Sequence, residues 1–231
     1  MEVRLIDKMG SDLSVVNAAR VSFAKESEWE SIPEGGQIEG LLSLGDEKLI
    51  KYLAKHNHWS PFGHASMQFH IKAPIFVARQ LVKHQVGLVW NEISRRYVDS
   101  EPEFFKVDSW RGRAENKKQG SDETKTIDEV YLSESDWKFP TSSLQNEVES
   151  LALKYYNVML EEGVAPEQAR MILPQSMMTE WYWSGTLMAF ARVCNLRCKP
   201  DAQLESREVC DMIDKQATKL FNISWKALRD G

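Results

Sequence analysis

Apolar and polar residues alternate from Ala65 to Lys72, with Ala65, Met67, Phe69 and Ile71 on one side and Ser66, Gln68, His70 and Lys72 on the other. That two-residue period predicts a half-buried β-strand. Pro74 follows, and its fixed φ and missing N–H suit the first turn of a helix, expected from Ile75 to about His84. Farther on the period changes. Leu144, Val148, Leu151, Tyr155 and Val158 recur at helical spacing until Gly163, predicting a long amphipathic helix opened by a capping box of Ser142 and Gln145. Pro166 can start a short helix that ends before Pro174, and Thr186 to Leu196 and Leu204 to Phe221 also carry the helical period. Two stretches, Lys25 to Glu47 and Gly112 to Ser135, are polar and aperiodic and read as surface insertions. Without internal repeats, the whole of 1–231 reads as a single α+β domain.

Composition narrows the class. The chain has 231 residues, with 29 Lys and Arg against 34 Asp and Glu for a net charge of −5. A chain this long can bury roughly 70% of its unfolded surface, enough for a core without disulfides or structural metals. Its three cysteines make no disulfide framework and suit a reducing cytoplasm, the expected location. The opening MEVRLIDKMGSDLS has no apolar run, and no stretch approaches the ~18 apolar residues of a membrane span. An isoelectric point near 5.6 argues against a stable nucleic-acid complex while leaving room for local basic pockets.

Three clusters could carry chemistry. His56, His58, His64 and His70 fall close together, but with no cysteine nearby they read as hydrogen-bonded helix-end and loop residues rather than a metal site. From Arg79 to Tyr97, the cations Arg79, Lys83, His84, Arg95 and Arg96 and the acid Glu92 interleave with apolar residues. Glu92 and Arg96 could form a solvated helical i, i+4 pair worth about 0.3–0.5 kcal/mol. Polar groups inside an apolar run must be satisfied, however, and a polyanionic ligand is the alternative. Arg170 and Arg197 stand in otherwise apolar helical patterns, so each is expected to face either an internal acid or a bound anion.

Taken together these segments resemble the flavin-dependent thymidylate synthases, the ThyX family. The likeness runs through DLSVVNAARVSF, HNHWSPFGH, FHIKAPIFVARQ, NEISRRY, EQARMILP and NLRCKPDAQLESR, in order and with matching gaps. It implies a small antiparallel sheet packed by several helices, and a homotetramer with active sites shared between subunits. It also implies reductive methylation of dUMP to dTMP, with FAD as hydride carrier, methylenetetrahydrofolate as carbon donor and NADPH as reductant. Residue by residue, Arg197 matches the arginine that helps ionise the uracil ring and is the expected catalytic residue. Gln80, Lys83, Glu92, Ser94, Arg95, Arg96 and Arg170 match dUMP-binding positions. Ser60, Lys83, His84, Gln85, Glu92, Thr186, Met188 and Arg192 fall at FAD-binding positions.

The chain also departs from the family pattern. Lys83-His84-Gln85 replaces Arg-His-Arg, which trades an arginine fork for a point charge and another for a neutral amide. Eight residues rather than seven separate this triplet from Ser94. Thr186, Met188 and Arg192 stand where Asn, Arg and Asn are frequent, and Asp201 stands where His is. These changes keep two alternatives open: a flavoenzyme modifying another pyrimidine nucleotide, and a catalytically silent nucleotide- or RNA-binding protein on the same scaffold. A cysteine nucleophile is not expected. Cys194 and Cys210 read as small core residues, and an Arg197 facing the nucleotide would aim Cys198 elsewhere.

Overall fold

The computed structural model describes residues 1–31, 40–98, 100–115, 120–132 and 137–230. In chain order come β1 (Glu2–Met9), α1 (Asp12–Arg20), α2 (Leu44–Lys55), β2 (Ser66–Pro74), α3 (Ile75–Leu81) and β3 (Leu88–Glu92). Four short strands follow: β4 (Arg111–Gly112), β5 (Asp122–Thr126), β6 (Glu129–Tyr131) and β7 (Lys138–Pro140). The chain closes with α4 (Thr141–Glu161), α5 (Pro166–Ala169), β8 (Met178–Thr186), α6 (Leu187–Arg197), α7 (Leu204–Leu220) and α8 (Asn222–Arg229). No helix among the described residues is long and apolar enough to cross a membrane.

The fold is α+β. Its main sheet is antiparallel in the order β1-β2-β8-β3. The alternation in β2 does what its period demands: Met67, Phe69, Ile71 and Ala73 are buried. In β8, paired to β2 with Phe69 opposite Trp183 and Ile71 opposite Trp181, both indoles join the same inner face. α6 lies on that face, with Phe190 edge-on to Phe69 (5.2 Å) and to Trp183 (5.3 Å). Each such aromatic pair adds about 0.5–1.5 kcal/mol beyond area burial. α7 and α8 complete the core through Val209, Ile213, Ala217, Trp225 and Leu228. Asp12 of α1 accepts the backbone N–H groups of Ile223 and Ser224 (both 2.9 Å), placing a carboxylate on the positive end of α8.

Several expectations change. The helix after Pro74 stops at Leu81 rather than His84, because the His84 N–H bonds back to Leu81 (3.0 Å) in a turn. Gly87, at φ +77, then swings the chain into β3. The polar stretch near 25–47 is not all surface. Leu42 and Asp46 are buried, and α2 starts inside the stretch with the Ser43 hydroxyl capping the Asp46 N–H (3.1 Å). Residues 32–39 of that stretch, and 116–119 and 133–135 of the second, lie outside the described residues. Within the second, β5 pairs with β4 at its start, and β6 pairs with β7 just beyond its end.

The long helix exists, but its capping box does not. α4 begins after Pro140, and the Gln145 amide donates to the Phe105 carbonyl and to Glu149 (both 2.7 Å) instead of turning back to the helix start. Its apolar stripe also faces away from the core. Val148, Leu151, Tyr155 and Val158 are each about half exposed, and with Ile172 they line a groove of about 540 Å³.

Candidate active site

The turn that ends α3 carries Lys83, His84 and Gln85, and the last turn of α6 carries Arg197. Packing of α6 on the sheet brings the two turns together. Arg197 Nε donates to His84 Nε2 at 3.0 Å. An Nε2 that accepts bears no proton, so His84 is the neutral imidazole protonated on Nδ1. Burial, then the charges of Arg197 and Arg192, push its pKa below the ordinary 6.5. Of the two partners expected of Arg197, the internal acid is not found among the described residues. Arg197 meets a neutral ring and makes no ion pair among the described residues. One step back on α3, the Gln80 side-chain oxygen is buried without a hydrogen-bond partner among the described residues. Such an orphan costs about 1–3 kcal/mol unless a ligand donor meets it.

Glu92 ends β3 and Arg96 lies in the turn that follows, so the helical Glu92–Arg96 pair does not form. Both carboxylate oxygens are held. Trp90 Nε1 donates to one (3.0 Å) and Thr179 Oγ1, from the buried Thr179 of β8, to the other (2.7 Å). Trp90 is itself fixed by stacking on Trp181, with ring centres 4.3 Å apart and planes 17° from parallel. Sequence reasoning did not single out Trp90 and Thr179 as the partners of Glu92. Trp90 lay in plain sight two residues before Glu92, but only the pairing of β3 with β8 reveals Thr179.

The turn after β3 closes through the Tyr97 N–H to Ser94 carbonyl bond (3.0 Å). Within it Ser94 Oγ accepts from Arg96 Nε (3.0 Å), the Arg96 guanidinium lies over the Tyr97 ring, and Arg95 donates to the Ser100 carbonyl. Arg170 falls elsewhere, exposed on the short helical turn Arg170–Ile172 beside α4, so the buried position expected from its apolar neighbours does not hold.

The remaining candidates are spread along α6 and the turns beside it. Ser60 sits on the turn Ser60–His64, which packs against α6 and β8. Thr186 caps α6 by accepting the Ala189 N–H (3.2 Å), and Met188 is half-buried against the core, able to offer only apolar contact. Lys83, Gln85 and Arg192 are exposed, and neither Lys83 nor Arg192 makes an ion pair among the described residues. A Cβ at Gly87 would come within 3.1 Å of Ala189 Cβ and 3.3 Å of Thr186 Oγ1, so this backbone lies directly against the start of α6. Lys83 and Arg192, which make no ion pair among the described residues, are cations of the kind that can bind phosphate.

The histidine cluster gathers no group of three or more metal-ligating side chains among the described residues. His70 instead pairs with Glu180 (3.0 Å), and His56 and His58 pack around Tyr52. Cys194 and Cys210 are fully buried. A hydrogen bond with Cys198 and then burial raise the Cys194 pKa, and burial raises that of Cys210, so neither is a thiolate.

A family model described as thymidylate synthase complementing protein matches residues 4–221 of the chain. A flavin-dependent thymidylate synthase of Thermus thermophilus is 37% identical over 228 residues, covering 99% of this chain and 75% of its own length. One from Thermosipho africanus is 37% identical over 206 residues, covering 89% and 81%. Among solved structures, the UMP/dUMP methylase PolB from Streptomyces cacaoi bound with 5-Br dUMP is similar with a TM-score of 0.76 and 28% identity, covering 99% of this chain and 94% of that one. The same protein bound with 5-Br UMP gives a TM-score of 0.72 at 27% identity, covering 99% and 93%.

Proposed function

The chain belongs to the flavin-dependent thymidylate synthase family, and from that membership we propose how its own residues carry the reaction. The protein is an FAD-dependent methyltransferase that converts dUMP to dTMP. Family membership across nearly the whole chain favours this enzyme over a silent nucleotide- or RNA-binding protein and over a flavoenzyme for another pyrimidine nucleotide. The flavin supplies the hydride that reduces the transferred carbon. Methylenetetrahydrofolate is the proposed source of that carbon and NADPH the proposed reductant.

The observation that carries the assignment of residues is the hydrogen bond from Arg197 to a neutral His84, whose pKa Arg192 also lowers, with no ion pair from either arginine among the described residues. Arg197 is the proposed catalytic residue. A guanidinium held in a half-buried site stabilises negative charge on the uracil ring, raising electron density at the carbon that is methylated. No thiolate need add to the ring. Gln80 offers its unmatched oxygen to a donor on the nucleotide, and Ser94, Arg95, Arg96, Arg170 and Lys83 supply donors for phosphate. Glu92, its carboxylate held by Trp90 and Thr179, borders both nucleotide and flavin. Ser60, Lys83, His84, Gln85, Thr186 and Arg192 are the proposed FAD contacts, with Met188 offering its apolar side chain.

A homotetramer is part of this proposal. The outward apolar stripe of α4 asks for a second copy, and Ile172, which lines the groove, follows Arg170 closely. Packing of copies on this face therefore carries Arg170 toward a neighbouring subunit, as a shared site requires. The test is an absorption spectrum of purified protein with and without FAD, followed by dTMP formation. Flavin bands that co-elute with protein, and product that depends on dUMP, are expected. A protein that never takes up flavin overturns the assignment.

A further inference from the structure

Taking the methyltransferase reading as its premise, we propose that His84 is the positioning residue for Arg197, acting as a neutral hydrogen-bond acceptor that orients the guanidinium toward the nucleotide. The geometry supports a specific division of labour. Arg197 spends its Nε–H on His84 Nε2 at 3.0 Å, while its two Nη groups make no hydrogen bond among the described residues. A guanidinium is planar, so fixing Nε fixes the plane in which the other donors lie. Its half-buried position at the end of α6 limits the alternatives.

The choice of acceptor matters chemically. A carboxylate at this place would hold Arg197 equally well but would neutralise it, weakening the field it exerts on the uracil. A neutral imidazole orients the cation and leaves the charge in place. His84 does this in only one of its states. Protonated, it loses the lone pair on Nε2 and becomes a cation against Arg197, with Arg192 of the same helix adding to the repulsion. Burial, and then the charges of these two arginines, push the ring's pKa below its ordinary value. With Nε2 engaged, Nδ1–H remains as a donor, so the same ring can hold Arg197 and still serve the flavin.

The first test uses the protein without ligands. Nitrogen-15 NMR of labelled histidines in the wild type should show His84 as the Nδ1–H tautomer, titrating below the usual value of about 6.5. In Arg197→Ala its titration should move upward. A His84 that is protonated on Nε2, or whose titration ignores Arg197→Ala, overturns the proposal whatever reaction the enzyme performs.

The second test reads turnover. His84→Ala should lower kcat on the order of 10²-fold, as expected when a catalytic group loses its orientation. His84→Gln, which keeps an acceptor oxygen, should restore part of that loss and abolish the acid limb of the pH profile. Persistence of the acid limb in His84→Gln, or a loss in His84→Ala that tracks flavin content alone, sinks the positioning role. If wild-type enzyme makes no dTMP at all, the functional reading fails while the NMR result still stands on its own.

Discussion

Arg20 and Arg197 each occupy the last turn of a helix, α1 and α6, and meet opposite kinds of partner. Arg20 donates from Nε (2.9 Å) and Nη2 to Asp46, whose buried carboxylate also accepts from the Ser27 hydroxyl (3.0 Å) and the Ser43 hydroxyl (2.8 Å). Burial works against the Asp46 charge, but the hydrogen bonds from Arg20, Ser43 and Ser27 outweigh it and hold its pKa below the usual 3.8. There, every charge is answered. Arg197 meets a neutral ring and makes no ion pair among the described residues. Saturated electrostatics hold α1 against α2, whereas the cation at the end of α6 makes no ion pair among the described residues, as the proposed nucleotide site requires.

The largest effect that would sharpen this contrast is catalytic. Arg197→Ala should lose roughly 10²–10³-fold in dTMP formation, the scale of one preorganised charge-stabilising donor, with an unchanged melting temperature. A variant that unfolded instead would place Arg197 among the structural charges. Asp46→Ala should reverse the pattern, costing about 3 kcal/mol of stability by denaturant titration while the folded fraction stays active.

The contribution of Asp46 also has a pH signature. Because its native pKa is depressed, that contribution is complete above the ordinary carboxylate value and disappears as pH falls from about 3.8 through the lowered value. Acid unfolding of wild type and Asp46→Asn should therefore converge at the bottom of that window. Curves that stayed parallel would show that the charge of Asp46 is not what stabilises the junction. The smallest effect belongs to the thiols: Cys194→Ala, Cys198→Ala and Cys210→Ala should each keep most of the activity. A Cys198→Ala enzyme that binds FAD and dUMP but forms no product would move the chemistry from Arg197 to the neighbouring sulfur.

Local pattern made β2, α6 and α7 legible, because burial on one face imposes a period that survives in the residues. It did not make β8 legible. The TEWYW segment alternates correctly, with Thr179, Trp181 and Trp183 inward, but it follows the proline turn without a separate signal. For α4 the period gave the helix and misjudged its surroundings, since an amphipathic stripe says that one face is apolar and not what covers it. The α2 start was hidden in a polar stretch because its buried polar residue, Asp46, looks like a loop residue until Arg20 is beside it. At the site, the resemblance supplied residue names but no partners. The bond between His84 and Arg197 joins residues 113 positions apart and leaves no local trace.

The strand order carries a consequence for how the chain comes into being. β8 lies between β2 and β3, and among the described residues β3 pairs with β8 alone. The strand that bears Glu92 thus leaves the ribosome about 90 residues before the strand that completes it. At 5–20 residues per second that interval lasts roughly 5–20 s. During it, Trp90 has neither Trp181 to stack on nor a formed sheet behind it, and β3 is an unpaired edge. Any crowding or pausing in this window exposes the strand that bears Glu92 to wrong partners. The yield of active protein is then a matter of translation timing as well as of final stability.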